Sequence, residues 1–435
     1  GMGAARYRHD ADFARFLDEA LLALPTADWH PLTAPSLDRL STVQRATWAV
    51  QVATARTLTH RFGARPRTLI GHSLGEVAAA HLAGALDLHD AAHLVHARSE
   101  LLERIAPTGG MIAARLDEHT AAQIAAAHRH GPARVEVAAL NTPARVVLTA
   151  PTALLDELWE DLDARGADPR RLHGAPPAHS ALVEPVLDEL ASALRGLRRR
   201  PLHPDTTLVS TVTGHPVTEE DLGADYWVAQ LRAPVRFADA LAITCRHGRH
   251  VVQELSPRPV LTVPTVEIRA FHGLAVDAFA LADRDPAWAA AHAHVHGADV
   301  TWPHTPAAPV SLPPPDQWAD PAQDTGTPTR WADRITATAG FDAAVRDAVR
   351  AVVADLAPVQ IGTGHDDTPL ERLGLHSMDV LQLRGRLLTG LAAPPRDLPD
   401  HRPTIASIAA ALAVLITAEQ RRTPRTGSPE RSRAG

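Results

Sequence analysis

The chain has 435 residues, with 43 basic and 50 acidic side chains and a formal net charge of -7. That length, about three times an ordinary domain, predicts two or three folding units and excludes a small disulfide-stapled scaffold. With 45% hydrophobic and 21% charged residues, most of the chain is expected to fold. No basic run is longer than Arg198-Arg199-Arg200, which argues against a nucleic-acid partner.

The single cysteine, Cys245, forms no internal disulfide and fits a reducing cytoplasm. The longest apolar stretch, residues 406–418, is well short of the roughly 20 residues of a membrane helix. With no signal peptide evident, the expectation is a soluble cytoplasmic protein with no membrane partner.

In chain order, short β-rich runs such as Arg67 to Ile70 alternate with Ala/Leu-rich windows such as Glu76 to Ala85, which predicts a mainly parallel, wound sheet. Residues 111–116, 135–140, 145–149 and 170–172 read as strands, with helices at 118–128 and 154–165. This βαββαβ order is ferredoxin-like. Residues 301–330 are a Pro/Ala/Asp/Thr mixture without periodicity, the mark of a linker. Beyond it, Phe341, Val345, Val349, Val352, Val353 and Leu356 share one helical face, and a second amphipathic window spans 377–388. A small helical bundle follows from these windows, and a disordered tail is expected over 421–435.

The run Thr68-Leu69-Ile70-Gly71-His72-Ser73-Leu74-Gly75-Glu76 places Gly-x-Ser-x-Gly between a strand and a helix, the setting of a nucleophile elbow. Glycines on both sides fit a turn too tight for side chains, and the helix that starts there presents amides to a developing oxyanion. Ser73 is therefore the candidate nucleophile. Composition does not choose its base among 25 histidines.

GHSLGEVAAAHLAGAL at 71–86 resembles the active-site segment of malonyl-CoA:acyl carrier protein transacylases and of polyketide synthase acyltransferase domains. HARSELLERIAPTGGMIAA, ALNTPARVVLTAP, PPAHSALVEPV, YWVAQLRAPVRFADAL and ELSPRPVLT resemble the later signatures of that family, in order. The resemblance implies an α/β fold: an α/β-hydrolase-like large subdomain with an inserted ferredoxin-like small one. It implies Ser73 as acyl acceptor, His179 as general base and then acid, and Arg98 as the fork that holds a free carboxylate. His72 and Leu74 join Arg98 as substrate-binding residues, with the Leu74 amide on the oxyanion. Gln230, in QLRAP, falls where the family orients its histidine through a backbone carbonyl.

Two features depart from that pattern. The family carries a strand ending in Gly-Gln-Gly-x-x-Gln upstream, whereas these residues open at Gly1-Met2-Gly3, so an upstream portion such as a ketosynthase is expected outside them. Pro176, Pro177 and Ala178 stand where the family shows its extender-selecting residues. Leu74 after the serine resembles malonyl-type elbows.

The run from Asp367 to Met378, followed by VLQLRGRL, resembles the phosphopantetheine attachment site of an acyl carrier protein, with Ser377 as the attachment residue and His376 in place of the usual Asp. The resulting expectation is an acyltransferase domain over 1–265, a post-acyltransferase linker over 266–335, a carrier domain over 336–420 and a tail over 421–435. Its cofactor is 4'-phosphopantetheine on Ser377. Its partners are malonyl-CoA or a related dicarboxylic acyl-CoA, a phosphopantetheinyl transferase, a ketosynthase and other synthase modules. Two other classes share part of this pattern: a carrier and docking module with a vestigial acyltransferase fold, and an α/β-hydrolase esterase with an acid between nucleophile and histidine.

Overall fold

The structure, a computed structural model, describes residues 2–25, 29–32, 37–130, 133–281, 285–302, 341–356, 361–373, 375, 383, 387 and 403–422. They belong to two compact units, residues 1–305 and 306–435.

The first unit opens with α1 (Ala4–His9), α2 (Ala11–Ala23) and α3 (Leu40–Phe62). The Asp10 carboxylate caps α2 on the Phe13 amide, and Phe13, Phe16, Leu17, Ala20 and Leu21 recur at helical spacing and are buried. β1 (Thr68–Ile70) turns into α4 (Gly75–Leu82), and α5 (Leu88–Ile105) follows, capped by Asp87 on the Asp90 amide. The buried stripe of α5 runs Ala91, Leu94, Val95, Arg98, Leu102, Ile105, so its periodicity carries one arginine into the core.

Next come β2 (Gly109–Ala114), α6 (Glu118–Ala127), β3 (Glu136–Thr142), β4 (Arg145–Pro151), α7 (Leu155–Ala164) and β5 (Arg170–Arg171). They build an antiparallel sheet in the order β3-β4-β2-β5, with Leu148 opposite both Ile112 and Val137. Alternation decides the two faces. Val146 and Leu148 pack under the helices with Ile112, Ile124 and Leu158, whereas Val147 turns to Val235 and Phe237 on the other side. The predicted element order is observed with boundaries shifted by a few residues.

α8 (Glu184–Ala193) leads to β6 (Thr207–Val209), which pairs in parallel with β1, and to β7 (Pro216–Val217), antiparallel to β6. α9 (Ala224–Arg232) and α10 (Phe237–Thr244) precede β8 (His250–Glu254), which is followed by α11 (Thr262–His272), β9 (Val276–Ala280) and α12 (Pro286–Val295). β9 pairs in parallel with β8, and Phe279, Leu281, Ala289 and Ala290 share a core with Leu58 and Phe62 of α3. The described residues of 266–302 thus pack within the first unit. Composition marks the Pro-rich run after residue 302 but not the apolar strand before it.

In the second unit, α13 (Phe341–Leu356) and α14 (Ile405–Arg422) pack together, and short helical turns span Thr363–His365 and Leu370–Leu373. Val345, Val349 and Val353 form the expected stripe and meet Leu370, Leu373, Leu375, Leu383, Leu387, Ile405, Ile408 and Leu412. Ser377 and nearly all of the 377–388 window lie outside the described residues, as does most of the expected tail. Arg350 of α13 donates from Nε at 3.0 Å and Nη2 at 2.8 Å to the two oxygens of Asp366, holding that carboxyl below its usual range. Its stabilisation is present above the ordinary aspartate range and is lost as pH falls through the lowered value. Arg350→Ala is expected to reduce the hydrogen-exchange protection of α13 by about 1 kcal/mol at neutral pH, with the difference from wild type vanishing in acid.

Candidate active site

The turn between β1 and α4 is set by steric exclusion. A Cβ on Gly71 would lie 2.1 Å from Glu76 Cα, so only glycine lets the chain fold back on itself there. The turn closes with Gly75 N to His72 O at 2.9 Å and Glu76 N to Ser73 O at 3.0 Å. At its apex Ser73 has φ 51°, a left-handed conformation that costs a non-glycine residue about 1 kcal/mol or more. Gly75 differs from Gly71: the nearest atom to a Cβ placed on it is Gln51 Nε2, at 3.9 Å. Only one of the two flanking glycines is thus demanded by space.

Ser73 Oγ lies 2.8 Å from His179 Nε2 and accepts from Arg98 Nη2 at 2.8 Å. His179 Nδ1 lies 2.8 Å from the Ala233 carbonyl, which can only accept, so the ring proton sits on Nδ1 and Nε2 is free to take the serine proton. The His179 amide donates to Leu231 O at 2.9 Å, and the residue is itself left-handed, φ 57°. Burial, then the adjacent Arg98 cation, lower its pKa to about 3, so the imidazole is neutral across the physiological range. Arg98 is 2% exposed, and burial lowers its pKa to about 10 while the negative Glu76 acts in the opposite direction. Its Nη1 donates to Gln44 Oε1 at 2.9 Å.

The other expected residues take more varied places. His72 is half-buried, desolvation lowers its pKa, and its Nε2 meets Asn141 Oδ1 at 2.8 Å. Leu74 stands at the N-terminus of α4, and among the described residues its amide is not used by the carbonyls that close the turn. Gln230 does not reach the histidine ring with its side chain: Nε2 donates to Ser73 O at 2.8 Å, and the Nδ1 acceptor is Ala233. The groups around the ring are thus main chain: the Ala233 carbonyl meets Nδ1, and the Gln230 backbone also acts on the imidazole. Pro176, Pro177 and Ala178 lead directly into His179, with Ala178 N donating to Pro176 O at 2.7 Å and Ser180 Oγ to Pro177 O at 2.9 Å. Sequence reading did not single out Gln44, Glu76, Asn141 or Ala233, although three of the four lie inside the quoted motifs.

A serine hydroxyl, a neutral imidazole with its acceptor nitrogen turned to it, and a buried cation one hydrogen-bond length from that hydroxyl make an arrangement capable of acyl chemistry. The sequence pattern described as the acyl transferase domain matches residues 1–276. The chain belongs to the acyl transferase domain family. A second pattern, the phosphopantetheine attachment site, matches residues 347–412. Polyketide synthase GfsA of Streptomyces halstedii is 35% identical over 69% of this chain, and erythronolide synthase EryA3 of Saccharopolyspora erythraea is 39% identical over 60%. The aligned regions are 4% and 8% of those relatives' own lengths. Among solved structures, the acyltransferase domain from the second module of the salinomycin polyketide synthase has a TM-score of 0.64 and 34% identity, over 72% of this chain and 75% of that one. The malonyl-CoA:acyl carrier protein transacylase of Xanthomonas oryzae has a TM-score of 0.60 and 26% identity, over 68% and 92%. The α/β acyl transferase domain is therefore joined to a phosphopantetheine attachment site in one chain. Among the described residues no helix is long and apolar enough to cross a membrane.

The unequal glycines give a direct check on this elbow. Gly71→Ala is expected to abolish the folded acyl transferase domain. Gly75→Ala is expected to keep the fold and raise helix stability by up to about 1 kcal/mol, read as a higher melting temperature in circular dichroism.

Proposed function

We propose that this chain transfers a malonyl-type extender group from CoA to Ser73 and on to a phosphopantetheine thiol, within a polyketide synthase module. The observation that carries the reading is the three-way contact at Ser73 Oγ, with His179 Nε2 and Arg98 Nη2 each at 2.8 Å. In the first half-reaction His179 takes the hydroxyl proton as Oγ attacks the thioester carbonyl. The Leu74 amide and the N-terminus of α4 meet the oxyanion, and the CoA thiolate leaves, taking the proton back. In the second, the carrier thiol gives its proton to His179 and attacks the acyl ester, which restores Ser73. Arg98 holds the free carboxylate as a two-pronged donor, which disfavours neutral fatty acyl groups.

The carrier thiol belongs to an arm on Ser377 or on a neighbouring module, installed by a phosphopantetheinyl transferase. The match at residues 347–412 and the helix-forming stripe of α13 support this reading. Pro176, Pro177 and Ala178 are read as the wall that selects the extender, and Leu74 as the malonyl-type residue. His72 fixes the elbow through Asn141. In architecture we read a hydrolase-like large subdomain, a ferredoxin-like insert whose strand order supports that name, and a helical carrier bundle. A cytoplasmic setting and a ketosynthase partner complete the reading.

The decisive test incubates the phosphopantetheinylated chain separately with malonyl-CoA and methylmalonyl-CoA and follows the Ser73 and Ser377 peptides by mass spectrometry. Acyl mass is expected on Ser73 and then on the Ser377 arm, both lost in Ser73→Ala. A modified Ser377 with no acylation of Ser73 would leave a carrier module and sink the enzyme reading. Arg98→Ala is expected to lower kcat/KM for malonyl-CoA roughly 10²-fold, with a much smaller change for acetyl-CoA.

The lowered pKa of His179 sets the pH dependence. An ordinary histidine gives an acid limb near pH 6.5, whereas burial and Arg98 shift this one down to about 3. Ser73 acylation is expected to hold its rate from pH 8 down to about 5 while the protein stays folded. In the same interval an unfolded chain binds a proton at His179 that the native protein does not. Stability therefore falls as pH drops below about 6.5, and stopped-flow acylation with parallel circular dichroism separates the two effects.

A further inference from the structure

Glu76 follows the nucleophile elbow by three residues, is fully buried, and takes no part in the chemistry described above. Its carboxylate nevertheless gathers donors from three residues on two other segments of the unit. Tyr226 of α9 donates its hydroxyl to Oε1. The Thr211 amide reaches Oε1 at 3.3 Å, and the Thr211 hydroxyl lies 2.9 Å from both Oε2 and the Gly71 carbonyl. Gln230 Nε2 lies 3.4 Å from Oε2 and 2.8 Å from the Ser73 carbonyl, so one amide bridges the nucleophile's own main chain and the buried acid. Tyr226 is held as a donor: burial and the Glu76 charge push its pKa up, and Ser210 Oγ lies 2.6 Å from its oxygen.

Both anchors of His179 sit at the end of α9, at Leu231 and Ala233. We infer that Glu76 is a positioning residue for the acyl transfer proposed above, on which this inference rests: it ties the elbow that carries Ser73 to the helix end that holds His179, and so sets the nucleophile–base distance.

The donor pattern calls for a carboxylate rather than an amide. Thr211 N–H and Gln230 N–H address different oxygens of Glu76. A glutamine in its place would turn an N–H onto one of them in either orientation, leaving a donor facing a donor. Gln230 cannot relieve this by flipping, because its oxygen would then face the Ser73 carbonyl. Burial raises the Glu76 pKa, and these hydrogen bonds work against the shift.

The test uses the full chain with Glu76→Gln, Glu76→Ala and Tyr226→Phe. The Ser73 phosphonylation rate is measured with a fluorophosphonate, in which Oγ displaces fluoride without any need for acyl-CoA. Folded fraction is followed by circular dichroism, and malonyl-CoA kinetics are measured alongside. Displacing a reacting group by about 1 Å is worth roughly 10²-fold, so the expected loss per folded molecule is about 10²-fold for the alanine variant and about 10-fold for the glutamine variant. Tyr226→Phe, which removes one donor, is expected to lose roughly threefold. Tyr226→Phe keeps the Glu76 charge that acts on Arg98, so its loss is expected to fall on kcat with KM for malonyl-CoA unchanged. Equal rates per folded molecule in wild type and in E76Q and Y226F would overturn the inference while leaving Ser73 as nucleophile. No phosphonylation of wild-type Ser73 would overturn the acyl-transfer reading and this inference together.

Discussion

A guanidinium in the core with no contacting anion among the described residues is the constraint around which this site is built. Arg98 lies on the apolar stripe of α5, 2% exposed, and its terminal nitrogens donate to neutral oxygens, Ser73 Oγ and Gln44 Oε1. Among the described residues its Nε has no hydrogen-bond partner. A buried ion held this way is expensive unless charge compensates it nearby. Glu76 provides that compensation electrostatically, from the far side of the elbow and without a direct ion pair. The arrangement leaves the Arg98 Nε donor uncommitted among the described residues, in keeping with the carboxylate-holding role proposed for this side chain.

The same cation governs the base. After burial itself, Arg98 is the largest influence that keeps His179 unprotonated. A protonated imidazole could not accept the Ser73 proton, so the charge that would bind a dicarboxylic acyl group also keeps its base in the reactive form. Backbone strain is placed accordingly. Among the described residues, Ser73 and His179, two of the four non-glycine residues with positive φ, are the two whose side chains face each other. Such conformations persist only where surroundings over-determine them. Here the Gly71–Glu76 approach fixes the serine, and two carbonyls at the end of α9 fix the histidine.

Much of this was legible in the residues alone, and the limits have physical reasons. The elbow is read from local chemistry, because a strand, a tight turn and a helix in succession leave little freedom at Ser73. The βαββαβ order is read from alternation, because one face of that sheet is covered by its own helices and the other by the Val235 segment. Arg98 is the instructive case: its position among Leu94, Val95 and Leu102 already places it inside, yet a charged residue on a helix is ordinarily solvated. Gln44, Glu76 and Asn141 were passed over because each is an ordinary polar residue on its own element. They gain meaning only from partners 54, 135 and 69 residues away in sequence. That β9 joins the first unit is not legible in composition, because it pairs with β8 across an intervening helix and composition does not record pairing.

The small sheet does more than cover the site, because its strand β3 refers both sides of the Ser73–His179 pair to one element. Asn141 on β3 holds His72, the residue before the nucleophile. One residue earlier, Leu140 N donates to Val235 O at 2.8 Å, and Val235 N returns a bond to Ala138 O at 2.9 Å. Val235 is two residues from Ala233, the acceptor for His179 Nδ1. A tilt of the small sheet would therefore carry the elbow and the histidine's anchor in the same direction, preserving their separation while changing the space around them. Strand β3 is thus tied by hydrogen bonds to the segments on both sides of the 2.8 Å contact between Ser73 Oγ and His179 Nε2.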